Sequence, residues 1–360
     1  MSLLYKPDWE EAKQHYLAWW AGEAFGRCAV AVTAPRADGP ALTPPGPPSD
    51  PTRRWTDLDY LSALNEYQHA TTFYGGEAFP SWQHGQPGHA VLPTFMGCPV
   101  TLDPETGTGW VEPILTGDDW DVTTMQVDPD NRWWKVTLQI LRRAAGESPG
   151  KSIPSVGVFG GCGDNLAWLR GSEAVLIDLA TDPDRVREAT WYLMDAWMDV
   201  YETFYSIIHD AGEGTTCWFR LWSPGRFYAA HNDLSYMISP ETFRQVFLPA
   251  IERQTQFLDH TVYHVDGVGS FNHVPALVEL PRLQALQILP GAGKPSPLHY
   301  LDTLHLVQEA GKNLHITIAP EEVEDALELL SARGLFIQTR CDTEEQARDL
   351  LKKAEKWSHD

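Results

Sequence analysis

The chain reads as an α/β protein, a (β/α)8 TIM barrel with an irregular Trp-, Pro- and Gly-rich elaboration on its N-terminal side. Three observations predict this. Beyond residue 150, short apolar runs alternate with helical segments in at least six successive units, the pattern of a parallel sheet with crossover helices. No G-x-G-x-x-G turn follows any of these strands, which favours a closed barrel over a doubly wound sheet. Polar, metal-competent side chains stand at the carboxyl ends of two strands, where barrels of this kind do their chemistry.

The elements follow in order. Trp9, Ala12, Tyr16, Trp19 and Trp20 recur at helical spacing, so 8–22 is read as an amphipathic helix. Arg27 to Thr33 is an apolar strand, 34–54 a Pro- and Gly-rich loop, and 57–73 a helix. From 74 to 132 short apolar runs lie among Gly, Pro and Trp without a clear period, as expected of a cap rather than a separate domain. Helix returns over 133–146. Strand Ile153–Phe159 is then followed by a helix at 165–180 and a long one at 184–211. Strand Thr216–Trp222 leads into a loop to 239. Ser239 as N-cap and Pro240 at the first helical position open a helix to about 259. Strands at 261–265, 284–289, 313–318 and 334–339 alternate with helices at 272–279, 298–310, 321–333 and 343–357. Residues 1–360 are thus read as one domain, with 1–150 the elaboration and first barrel units and 151–357 the regular units.

Composition narrows the function. Lys and Arg total 27 against 49 Asp and Glu, a formal net charge of -22. Such a field repels nucleic acid and anionic membranes, leaving a small molecule as the expected partner; a local arginine pocket would still admit an anion. The five cysteines, Cys28, Cys98, Cys162, Cys217 and Cys341, are odd in number and form no C-x-x-C pair. Reduced thiols in the cytoplasm are therefore expected. The first residues lack a basic region followed by an apolar core, so no signal peptide is expected. No apolar run reaches the roughly 18 residues of a membrane span. The 15 tryptophans suit either an aromatic-walled pocket or core packing, and packing is the commoner use.

The chemistry-bearing residues cluster toward the C-terminal side. His264 and Asp266 end one strand and, two apart, share a side. Arg340 and Cys341 end another. An imidazole, a carboxylate and a thiolate with one open position make a catalytic zinc pattern. The alternative is a strand-end histidine, an aspartate capping the turn at Gly267, and a small buried cysteine. Arg220 and Trp222 also share a side, and an inward Arg220 would grip a carboxylate or phosphate through its planar fork. Asn232, Asp233 and Tyr236 follow, adding a carboxylate and a phenol for acid–base work; loop scaffolding explains them as well. Glu77 and Trp82 are expected to line the cap. In Gly160-Gly-Cys-Gly-Asp164 the glycines permit a tight turn or close backbone approach, and Cys162 is a further thiol candidate. His84, His89, His231, His260, His273, His299 and His315 are read as surface or packing residues.

The segments YMISPETFRQVFLPAIERQ, YHVDG and TRCDTEEQARDLL resemble the uroporphyrinogen decarboxylase-like superfamily, whose members include cobalamin-linked methyltransferases. The resemblance covers about residues 150–357 and implies a (β/α)8 barrel. The methyltransferase branch binds zinc through an H-x-C pair and a distant cysteine. By that resemblance His264 stands for the histidine and Cys341 for the distant cysteine, while Asp266 replaces the first cysteine and hardens the site. The arginine pattern that true decarboxylases of this superfamily use for porphyrinogens is not visible here. The resemblance implies a metal-dependent methyltransferase or demethylase of a small molecule, with Zn2+ at His264, Asp266 and Cys341. It also implies a corrinoid carrier protein as partner. Arg220, Asp233 and Tyr236 are the expected catalytic residues; Glu77, Trp82, Trp222, Asn232 and Arg340 are expected to touch substrate. One rival is a metal-free decarboxylase with Arg220 holding the carboxylate and Tyr236 or Asp233 supplying the proton. Another is a non-catalytic small-molecule or corrinoid-binding barrel.

Overall fold

A computed structural model describes residues 2–83, 91–103, 105, 108–211 and 214–359; His84 and His89 lie outside the described residues. In chain order the strands are β1 (Ala29–Pro35), β2 (Thr72–Gly76), β3 (Ser81–Trp82), β4 (Val100–Asp103), β5 (Thr108–Val111), β6 (Ile153–Val156), β7 (Thr215–Cys217), β8 (Trp222–Ser223), β9 (Phe227–His231), β10 (His260–Asp266), β11 (Ala285–Leu289), β12 (Asn313–Thr317) and β13 (Leu335–Arg340).

Seven of these form one sheet in the order β2-β1-β13-β12-β11-β10-β9. It is parallel throughout, except that β2 runs antiparallel to β1. A smaller sheet runs β3-β6-β7-β8, with only β8 antiparallel. β4 and β5 form a separate hairpin, and β7 packs beside β9 where the two sheets meet. The α/β architecture with a parallel sheet and crossover helices is present. Its ladder bonds are divided between two sheets rather than running around one ring.

Local chemistry sets the helix starts. Asn131 accepts from the amides of Trp133 and Trp134, Asp182 from Arg185, and Thr343 forms a capping box with Gln346, each occupying donors that the first turn leaves unpaired. The expected helix from 240 departs from plan. After Pro240–Thr242 the backbone widens into a π turn over Phe243–Phe247 before resuming at Leu248–Phe257. Pro249, at the second position of that last segment, has no amide to continue the ladder. The expected helix at 165–180 likewise breaks at Gly171. The largest departure is β9, which occupies part of the expected loop to 239. Its sequence, FYAAH, is buried at every position, and so short an apolar run carries no alternation to reveal it.

Parallel register fixes which side chains meet. His231 pairs with His264, His264 with Gln287, Gln287 with His315, and His315 with Phe336. Those five therefore form one transverse row on one face of the sheet. At the amino ends of the strands lies the helix Trp9–Trp20. Trp9 meets Trp222 edge-on, Trp20 packs on Phe227 and His260, and Tyr16 and Trp19 pack on Phe336. The Trp19 indole donates to the Gly334 carbonyl at 2.9 Å, and Trp20 to Trp222 at 2.9 Å. Ten of the fifteen tryptophans precede residue 170; Trp9 and Trp19 among them are almost fully buried, which is packing rather than a pocket wall.

Candidate functional site

The polar row gains its neighbours from the helix start after β6. Asp164 is in the first turn of the helix Cys162–Arg170. The glycines before it have a steric purpose. A Cβ on Gly161 would fall 1.9 Å from the His231 carbonyl, and one on Gly163 2.4 Å from Asn232 Oδ1. Only bare backbone lets the helix start press against the end of β9. Asp164 Oδ2 then lies 2.8 Å from His231 Nδ1, and its Oδ1 accepts from the Leu234 amide at 3.0 Å.

Burial alone would push the Asp164 carboxyl up, but the hydrogen bond and charge of His231 outweigh it and hold it below the usual range. Burial pulls His231 down, yet Asp164 draws it above its ordinary value. The pair is thus a buried couple in which each partner favours the charged form of the other. With Nδ1 committed to Asp164, His231 Nε2 is buried and has no partner.

A second group shares a member with the first. Asp164, His231 and Asp233 offer ligand atoms within 4.8 Å of one another, and so do Asp233, His264 and Asp266. His264 Nδ1 is hydrogen-bonded to Gln287 Oε1, an acceptor, so Nδ1 carries the proton and Nε2 is left as the lone-pair nitrogen. That Nε2 lies 3.9 Å from Asp266 Oδ2. Burial, with His231 nearby, lowers His264 and favours the neutral ring. Asp233 stands at the rim, open to water yet ringed by protein. Burial first, then the Asp164 and Asp266 charges against the pull of His231, raise its carboxyl to about 6. Trp218 and Phe219 meet the His264 ring edge-on, at 5.2 and 6.0 Å.

The expected residues divide sharply. His264, Asp266 and Asp233 converge. Asn232 is buried behind them with both amide atoms unpartnered, and Tyr236 lies, half exposed, over Gly267 and Gly269 beside Asp266. Arg220 and Arg340 line a separate cavity of about 430 Å³ with Thr33, Tyr74 and Phe79.

Four expectations point elsewhere. Cys341 joins neither group of ligand atoms. It alternates in phase with Ile337 rather than with Phe336, and with Arg340 it lines a groove formed by Glu321, Glu324, Asp349 and Leu350. Burial, Glu321 and Asp342 raise its thiol, so it stays protonated. Glu77 is fully buried at the amino end, gripped by Arg27, His15 and the Val30 amide. Trp82 packs with Leu61, Ile140 and Ala144 and donates to Glu147. Trp222 packs against Trp9 and Tyr16. None of these four reaches the histidines.

Asp164, His231 and Gln287 are the members the sequence reading missed. Gly160–Asp164 carried a signal for the first, since glycines that allow close approach also imply something approached. His231 was hidden by the unrecognised β9, and Gln287 lies mid-strand with no motif around it. His315, in the same row, is a packing residue as read. It stacks between Phe336 and Phe219, burial lowers it to about 3, and neither nitrogen makes a well-formed hydrogen bond although Gln338 is beside it.

No family model matches the sequence, and no curated protein matches it. Among solved structures, a methyltransferase from Methanosarcina mazei superposes with a TM-score of 0.63 at 14% identity. The match covers 96% of this chain and 98% of that one. The likeness is one of fold. No helix among the described residues is long and apolar enough to cross a membrane.

Proposed function

We propose that the chain is a metal-dependent methyltransferase acting on a small molecule, built on a closed (β/α)8-type barrel of the uroporphyrinogen decarboxylase-like kind. Closure is supported by the helix Trp9–Trp20, which touches the starts of β8, β9, β10 and β13 together, strands that belong to both sheets. The fold shared with a methyltransferase supports the reaction class. The observation that carries the reading is His264: its Nδ1 is held by Gln287 and its Nε2 is turned toward Asp266 and Asp233.

One imidazole nitrogen and two carboxylates suit a divalent ion, with a position left for substrate. His264, Asp266 and Asp233 are the proposed ligands; Cys341 gives way to Asp233. Such an ion supplies Lewis acidity and lowers the pKa of a bound nucleophile. The chain does the rest. Gln287 fixes the His264 tautomer, as outer-shell partners do in metal sites. Asp164 orients His231 so that Nε2 faces the site with a proton to give or a lone pair to take. Trp218 and Phe219 keep water off the imidazole, and Tyr236 and Asn232 border the substrate. A corrinoid protein as methyl carrier rests on the resemblance alone.

Metal analysis of purified protein is the test. A bound divalent ion that His264→Ala and Asp233→Asn both abolish, with loss of methyl transfer, is the expected result; metal-free protein, or metal retained in both variants, ends the reading. One observation favours a second reading, a metal-free decarboxylase: Asp233, raised to about 6, is a fitting acid to protonate a carbanion. Carbon dioxide release that survives chelation would select it.

A further inference from the structure

Positive charge is scarce in this chain, and most of it is spent. Arg27, Arg170, Arg226 and Arg244 each hold a carboxylate at 2.5–2.9 Å. The guanidinium groups of Arg220 and Arg340 hold none: neither makes an ion pair or hydrogen bond to any described residue. They nonetheless line one cavity, Arg340 from the carboxyl end of β13 and Arg220 from the turn between β7 and β8.

Arg220 is also in an unfavourable backbone state. At φ 57° it is the sole non-glycine at positive φ among the described residues. A Cβ in the left-handed region crowds the following carbonyl, so glycine or asparagine would take that turn more easily. The turn keeps an arginine whose head group has no hydrogen bond or ion pair among the described residues. Strain held at a pocket with an unspent charge is the signature of a binding residue.

The cavity, about 430 Å³, is of a size for a small molecule. Tyr74 and Phe79 give it aromatic walls; Thr33 and Ser81 add hydroxyls. No glycine is among its described lining residues, so it lacks the backbone cradle typical of phosphate sites. Two planar forks suit a planar carboxylate. The turn that carries Arg220 also carries Trp218 and Phe219, which pack on His264, so one turn borders both the cavity and the histidine–aspartate centre.

We infer that Arg220 and Arg340 bind the carboxylate of a small organic acid in this cavity, and that this acid is the substrate presented to the centre. The second half rests on the methyltransferase reading; the first does not. The test is calorimetric titration and thermal shift with benzoate, succinate, benzamide and inorganic phosphate on the wild type, Arg220→Gly, Arg340→Met and His264→Ala. The carboxylates bind the wild type and benzamide does not. Arg220→Gly and Arg340→Met each weaken binding about tenfold or more. Arg220→Gly melts, without ligand, at an unchanged or higher temperature, because glycine relieves the turn. His264→Ala still binds. Carboxylate affinity unchanged in both arginine variants, no carboxylate binding, or phosphate bound more tightly than either acid overturns the proposal. Carboxylate binding that needs both arginines, in a protein that transfers no methyl group when loaded with metal, keeps the pocket and sinks the methyltransferase. Methyl transfer confined to uncharged substrates overturns the substrate assignment.

Discussion

The two ends of the strand wall treat buried polar groups in opposite ways. At the amino end the two most deeply buried charged groups, Glu77 and Lys6, are answered. Glu77 has no exposed surface, yet its carboxylate receives two Arg27 nitrogens at 2.7 and 2.8 Å, His15 at 2.7 Å and the Val30 amide at 2.5 Å. Lys6, equally buried, reaches Asp8 and the carbonyls of Tyr74 and Gly76. At the carboxyl end His231 Nε2 and both amide atoms of Asn232 lack partners among the described residues, three acids crowd two histidines, and two arginines line one cavity. Unmade hydrogen bonds in an interior are costly. A fold that pairs its buried charges at one end and leaves a histidine and an asparagine unpartnered at the other separates a scaffold from the proposed site.

The largest expected effect breaks the satisfied end. Glu77→Ala strands a buried Arg27 and costs about 3–5 kcal/mol of stability in a urea titration. Asp233→Asn at the other end relieves like charge and costs less than about 1 kcal/mol. Equal losses would erase the contrast.

Acid sharpens it. Arg27 and His15 outweigh the burial of Glu77 and hold it at about 2, against 4.5 ordinarily. A carboxyl depressed in the folded state contributes stability above its unfolded pKa. That contribution, on the order of 3 kcal/mol, is lost as pH falls from about 4.5 toward 2. Asp233 has the opposite sign: it is raised to about 6 from 3.8, so the native state holds its proton longer and stability falls as pH rises through that window. Urea midpoints against pH should slope differently in Glu77→Gln and Asp233→Asn; identical profiles would refute the assignment.

Gln287→Leu removes the His264 orienter and should weaken metal affinity about 10–100-fold, with little change in melting temperature. Cys341→Ser should do least. Metal content and activity stay as in the wild type, and stability moves by less than about 1 kcal/mol. A lost metal in that variant would restore the cysteine to the site.

Much of this was legible in the residues. The helices announced themselves through period and caps, and His264 and Asp266 through their place at a strand end. Cys341 misled because distance along the chain says nothing of the side a strand end faces, and alternation turned it to the helices. Glu77 misled because an acid among glycines looks like a loop residue until its partners, Arg27 and His15, are seen. His231 needed β9, and β9 needed the neighbour strand whose register makes it a strand at all.

The Trp19 indole and the Gly334 carbonyl, joined at 2.9 Å, lie 315 positions apart. During synthesis the apolar side of that early helix meets Phe79 first and Trp222, Phe227 and His260 later, and its packing is complete only once Phe336 has emerged. So wide a sequence separation predicts slow, late closure and an interval in which several indoles face solvent and invite aggregation or chaperone capture.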